Sequence, residues 1–180
     1  MKKVHYKNKY ISYVGNLGEN YPIKHFLESF QKLNAFDDSW KLRFVGNVGE
    51  ETANSIHQMK LENAVELIPY KPHIEAVQTM LNSEALLLVI PDLNENKGIL
   101  TGKLFEYIAT ENPIILIGPK DGDAAQILSE FNNCSIHDYN ERINLVEFVN
   151  TVDNALPSSN IKSKYSRVRQ AQEIIDLIRQ

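Results

Sequence analysis

Two short runs without a polar residue, ALLLVI at 85–90 and PIILIG at 113–118, constrain this chain more than any other feature. A strand with one wet face alternates apolar and polar side chains. A run this short and continuous, bounded by turn formers, suits a strand covered on both faces, as in a parallel sheet between two layers of helices. Further strands are expected at Tyr10–Val14, Leu42–Val45, Val65–Ile68 and, with a weaker signal, Cys134–His137. Between them the apolar period changes to three and four residues. Ile23, Phe26, Leu27, Phe30 and Leu33 form one helical stripe, and Ile74, Val77 and Leu81 form another. Helices are also expected over Thr52–Leu61, Gly102–Ala109, Ala124–Phe131 and Arg142–Asn154. Strand and helix thus alternate about six times, the pattern of stacked right-handed βαβ units. The expected fold is α/β: a doubly wound, mostly parallel six-stranded Rossmann-like sheet with helices on both faces.

At 180 residues the chain is of one-domain size. Residues 1–9 are expected to be a linker or tail, 10–155 the Rossmann-like domain, and 156–180 a C-terminal helix after the break Pro157-Ser158-Ser159-Asn160. Lys162, Lys164, Arg167 and Arg169 crowd the first half of that helix, where cations oppose the helix dipole. Docking on something outside the domain is one reading of this charge; a solvated face is the other.

Several classes of function are disfavoured. Nineteen Lys and Arg against 23 Asp and Glu give a formal charge of −4, so nucleic acid is not an expected partner. One cysteine, Cys134, excludes an intrachain disulfide and a multi-cysteine zinc site. The five histidines show no metal-ligand spacing, so no metal is expected. The longest apolar run, about seven residues at Ala85–Pro91, is far short of the roughly 18 that span a bilayer. The start, MKKVHYKNKY, lacks the apolar core of a secretory signal, and a cytoplasmic location is expected. Ser12 and Ser29 lie in no G-x-S-x-G elbow, and a response regulator would need clustered acids after the first strand.

Ligands of open α/β sheets bind beyond the carboxyl ends of the strands, where strand order reverses. Gly15 and Gly18 follow the first strand as G-x-x-G, without the third glycine of the dinucleotide fingerprint. Each serves either a tight turn or a ligand, and Gly46-Asn47-Val48-Gly49 after the second strand carries the same ambiguity. Pro22 suits the first turn of the following helix. The richest segment is 91–119. There Asp92–Gly98 is expected to be a mobile polar loop and Thr101 an N-cap, placing Gly102, Lys103 and Leu104 in the first helical turn. Free amides, the helix dipole and the Lys103 ammonium suit a phosphate. Leu104, Phe105 and Ile108 are expected to face the sheet. Glu106 would point away from it, placed to accept two hydrogen bonds from a vicinal diol. Asp121 or Asp123 is expected to cap the fifth helix.

Four segments in this order, ISYVGNLGENYPIKHFLESF (11–30), LRFVGNV (42–48), VELIPYKPHIEAVQTMLNSEALLLV (65–89) and GILTGKLFEYIATENPIILIGP (98–119), carry a family resemblance. The chain resembles the C-terminal, nucleotide-sugar-binding domain of GT-B glycosyltransferases, family 4-like (group 1), over most of residues 10–155. The resemblance implies donor phosphates at Gly15, Asn16, Thr101, Gly102, Lys103 and Leu104, ribose hydroxyls at Glu106, and the base at Pro69, Tyr70 and Lys71. It implies a nucleotide-sugar as substrate rather than a cofactor, a retaining outcome, and an acceptor domain N-terminal to this one and missing from these residues. Peripheral membrane association is expected only of the full-length protein, and the isolated chain is expected to be inactive. Two positions depart from the family pattern. Gly98 stands where the family often has a Glu that touches the sugar, and the first loop lacks the family's cation near Asn20 or Tyr21, with Lys24 the nearest. A UDP-sugar 2-epimerase-type domain and a non-catalytic nucleotide-binding or interaction module are the alternatives.

Overall fold

The computed structural model describes residues 8–152 and Tyr165. Six strands alternate with helices in the expected order: β1 (Lys9–Val14), α1 (Lys24–Phe36), β2 (Trp40–Val45), α2 (Glu50–Gln58), β3 (Val65–Ile68), α3 (His73–Leu81), β4 (Ala85–Val89), α4 (Gly102–Thr110), β5 (Ile114–Ile117), α5 (Asp123–Leu128), β6 (Cys134–His137) and α6 (Leu145–Val152). A short 3-10 turn, Asn96–Gly98, precedes α4. All strands run parallel in the order β3-β2-β1-β4-β5-β6, the doubly wound Rossmann arrangement. Strand order reverses between β1 and β4.

The two apolar runs form the centre of the sheet. Every residue of β4 and β5 is buried, and alternate side chains feed opposite cores. Leu87, Val89, Ile115 and Ile117 join Ile11, Tyr13 and Phe44 beneath α1, α2 and α6. Leu86, Leu88, Ile114 and Leu116 join Val14 and Val45 beneath α3, α4 and α5. Both faces are therefore dry, which explains why neither run alternates.

Element ends differ from expectation where long-range contacts set them. Pro22 lies ahead of Ile23, the residue that precedes the first turn of α1, so it is not in the helix. Helix α6 starts at Leu145 rather than Arg142, with Asn144 Oδ1 accepting from the Glu147 amide as a cap. Ser29 turns out to be structural. Its hydroxyl donates to the His25 carbonyl and accepts from the Ile143 amide, tying α1 to the segment that enters α6. Cys134, a half-buried residue at the sheet edge, packs against the α3–α5 core, and burial pushes its thiol up to about 12.

The proposed tail at 1–9 lies outside the described residues except for its last two, and Lys9 already belongs to β1. The basic helix expected over 161–178 also lies outside them, apart from Tyr165. That ring sits 6.3 Å from Phe105 of α4 and 6.1 Å from Phe131, and its hydroxyl donates to Glu130. No helix among the described residues is long and apolar enough to cross a membrane.

Candidate functional site

The site forms where β1 and β2 end. Gly15 and Gly46 both adopt positive φ, 127° and 125°. A Cβ built on Gly46 would stand 2.5 Å from the Gly15 carbonyl oxygen, so these two turns can touch only because Gly46 lacks a side chain. Beyond them the loops continue as a short parallel ladder. Leu17 donates to Asn47 and Gly49 donates back to Leu17, while the Asn16 amide oxygen accepts from the Asn47 N–H. Gly18 has no comparable requirement, since a Cβ there would make only ordinary contact with Tyr21.

The N-terminus of α2 is closed from within the protein. The Glu19 carboxylate accepts from the Glu50 amide at 3.1 Å, and a Cβ on Gly49 would collide with it. The Gly46–Gly49 turn is therefore accounted for by packing. The N-terminus of α4 differs. Thr101 occupies the N-cap position but makes no side-chain cap bond, and its buried Oγ1 has no hydrogen-bond partner. The Leu104 amide, expected to be free for a phosphate, instead donates to the Thr101 carbonyl, and its side chain is fully buried. The Gly102 and Lys103 amides have no partner among the described residues, and a Cβ on Gly102 would project into open space.

Lys103 reaches back across Gly15 to β1. Its Nζ donates to the Tyr13 hydroxyl at 2.6 Å and lies 4.1 Å from the centre of that ring. Burial lowers the Lys103 ammonium to about 8. One turn along the same helix, Tyr107 is fully buried and its hydroxyl accepts from the Val14 amide at 2.9 Å, just before Gly15. The expected inward face of α4 needs correcting here: Leu104, Tyr107 and Ile108 are buried, while Phe105 is only partly so.

These features surround a cavity of about 260 Å³ lined by Val14, Gly15, Asn16, Val45, Gly46, Tyr70, Lys71, His73, Ala76, Met80, Lys103 and Glu106. Seven residues singled out in the sequence thus meet: Gly15, Asn16, Gly46, Tyr70, Lys71, Lys103 and Glu106. Pro69, Thr101, Gly102 and Leu104 do not line it. Tyr70 is 77% exposed, and Lys71 pairs with Glu75 at 3.1 Å. His73, Ala76 and Met80 were missed by sequence reasoning: the expected stripe of α3 was Ile74, Val77 and Leu81, but Ile74 is 69% exposed and the helix buries Ala76 and Met80 instead.

Nor is the loop after β4 a free tether. The Asp92 amide donates to Asn20, Asn96 bonds Pro91 and Tyr139, and Lys97 pairs with Asp121 at 2.5 Å. Asp121 is thereby occupied, and the residue preceding α5 is Gly122, with Asp123 in its first turn. Lys24 is exposed and lies outside the cavity. Among the described residues no group of three or more His, Cys, Asp or Glu could hold a metal ion.

A larger cavity, about 370 Å³, runs along the edge strand β6 and α6 and ends at Thr151, next to the last described residue of that helix. Ser135 and His137 line it and are hydrogen-bonded to each other, His137 bonds on to Glu141 outside the lining, and burial lowers the histidine's affinity for a proton. Size alone would favour this cavity. The smaller one lies where the fold places ligands, beside the reversal of strand order and an uncapped helix N-terminus.

Residues 2–154 match the family model of glycosyl transferases group 1. The chain belongs to this family. None of the proteins of curated function matches the sequence significantly. Several solved structures share the fold. HepE from Anabaena, in complex with UDP and glucose, superposes with a TM-score of 0.71 at 15% identity, over 96% of this chain and 48% of that one. A mutant of S. aureus TarM, in complex with fondaparinux, alpha-GlcNAc-glycerol and UDP, gives 0.63 at 16% identity, over 91% and 32%. The UDP-GlcNAc 2-epimerase of Methanocaldococcus jannaschii, in complex with UDP-GlcNAc and UDP, gives 0.56 at 16%, over 93% and 46%. The group 1 domain described here thus spans about a third to a half of the length of these chains.

Proposed function

We propose that this chain is the nucleotide-diphospho-sugar-binding half of a glycosyltransferase that uses a UDP- or GDP-sugar. The observation that carries this reading is the meeting of Lys103 and Glu106 with the Gly15 turn in one cavity over the strand reversal. In this reading the diphosphate lies against the Gly102 and Lys103 amides and the Lys103 ammonium. Those groups stabilise negative charge as the nucleoside diphosphate departs. The Thr101 hydroxyl, buried and unpartnered at the N-cap of the same helix, is a further donor for that anion in this reading. Leu104 contributes through packing rather than through its amide. Glu106 accepts from the ribose hydroxyls, Tyr70 presents its ring to the base, and Pro69 and Lys71 shape the approach to it. The acceptor and any general base belong to a partner domain across the cleft. At about 260 Å³ the cavity is below the roughly 300–1,000 Å³ of complete ligand sites, as one wall of a two-domain cleft should be.

The test is calorimetric titration of the chain with UDP, GDP and ADP. One of them should bind, and Glu106→Ala should weaken it by about 1.5–3 kcal/mol, the value of a charged hydrogen bond. No binding to any of them at millimolar concentration overturns the reading. An epimerase of the same architecture would share the nucleotide site. The family match favours transfer, and product analysis on a protein with both domains separates the two.

Affinity should also depend on pH, with a definite sign. A bound diphosphate favours charged Lys103, whereas burial in the free protein has lowered its pKa to about 8. Below pH 8 the ammonium is already formed and affinity should be flat. Above pH 8 it should fall by about tenfold per pH unit until the bound-state pKa is passed. Titrations in buffers of different ionisation enthalpy should show proton uptake near pH 9 and little at pH 7.

A further inference from the structure

We propose that Tyr13 is a positioning residue, a buried phenol that joins α4 to the β1 turn and holds the Lys103 ammonium across Gly15. Its consequence for binding rests on the diphosphate reading given above; its structural content does not. Tyr13 is fully buried near the end of β1, and its hydroxyl meets two residues that line the cavity. It donates its one proton to the Asn16 carbonyl at 2.8 Å. Its oxygen must therefore accept from Lys103, whose Nζ lies 2.6 Å away. Burial raises the phenol's pKa, so it stays neutral and these directions hold.

Three features then restrain the lysine: the phenol oxygen, the ring face 4.1 Å below Nζ, and the bare Gly15 backbone. A Cβ on Gly15 would lie 3.1 Å from both Cδ and Nζ of Lys103. Among the described residues the Tyr13 hydroxyl is the one hydrogen-bond partner of Nζ, and an ammonium has three donors. The remaining two are available to a ligand at the cavity mouth. Gly15 and Tyr13 are thus one device, in which the first leaves room for the lysine and the second fixes it there. Because Tyr13 also holds Asn16, it joins the loop after β1 to the helix after β4, the two sides of the strand reversal.

Tyr13→Phe removes only the hydroxyl, keeping the ring contact and the core volume. With the acceptor that holds it gone, the ammonium should swing toward water rather than stay buried and unpaired. In lysine-labelled protein followed by NMR, the Lys103 titration midpoint should move from about 8 toward the ordinary value of about 10.4. A midpoint that stays near 8 in Tyr13→Phe overturns the proposal, and this readout needs no ligand. Titration with UDP supplies a second readout. Tyr13→Phe should weaken UDP by about five- to tenfold when Lys103 is present and leave it unchanged in a Lys103→Met background. Equal losses in both backgrounds would make Tyr13 a merely structural residue and also overturn the proposal. If UDP fails to bind the wild-type chain, the donor-site reading fails while the NMR result still judges Tyr13.

Discussion

Gly46→Ala should destabilise the domain by about 2–6 kcal/mol, a large share of the roughly 5–15 kcal/mol available to a domain of this kind. Two costs combine. At φ 125° an L-residue is strained by about 1–3 kcal/mol, and the new Cβ would sit 2.5 Å from the Gly15 carbonyl oxygen. That neighbour is backbone and cannot rotate away, so forcing the turns apart adds about 1–3 kcal/mol of overpacking. It would also disturb the ladder Leu17–Asn47–Gly49 that joins the loops. Gly15→Ala should cost less in stability, because the group it meets is the flexible end of Lys103, but more in nucleotide affinity. Chemical denaturation of the two variants measures the difference. A Gly46→Ala loss under about 1 kcal/mol would show that the turns are free to separate, contrary to the contact described.

The strands were legible because burial on both faces leaves a local mark. Ala85–Val89 and Ile114–Ile117 are apolar at every position, and no partner had to be known to read them. Strand β6 is half-buried along its length at the sheet edge, which is why its pattern was weak. Element ends were less legible where a distant residue sets them. Helix α2 begins at Glu50, two residues before the expected Thr52, because Glu19 from another loop receives the Glu50 amide. In the site, Lys103 and Glu106 could be read from one helical turn. Tyr13 could not, since its importance comes from Asn16 and Lys103, the latter 90 residues away. The Asp92–Gly98 loop looked mobile from its polar residues, yet those side chains and amides are the groups that anchor it to Asn20, Tyr139 and Asp121. Tyr107 was within reach: with Leu104 and Ile108 it completes the three- and four-residue spacing of a buried face.

Tyr107 also offers the sharpest separation of packing from polar support at the site. Tyr107→Ala should cost about 3–5 kcal/mol, the range for deleting a large buried aromatic. The loss has two sources, a cavity among Leu86, Leu88 and Leu104 and an orphaned Val14 amide. Tyr107→Phe removes only the acceptor. It should cost about 1–3 kcal/mol, the penalty for leaving a buried donor unpaired. The difference between the variants therefore isolates the packing contribution, and urea denaturation of both is the measurement. Function gives a second comparison. Val14 immediately precedes Gly15, so releasing its amide loosens the turn that Lys103 lies against. Tyr107→Phe should then weaken UDP binding although Tyr107 does not line the cavity. Hydrogen exchange should show the Val14 and Gly15 amides losing protection before those of β4. If Tyr107→Phe left both stability and the exchange of Val14 unchanged, the hydrogen bond would carry none of the load assigned to it, and α4 would be held to β1 by packing alone.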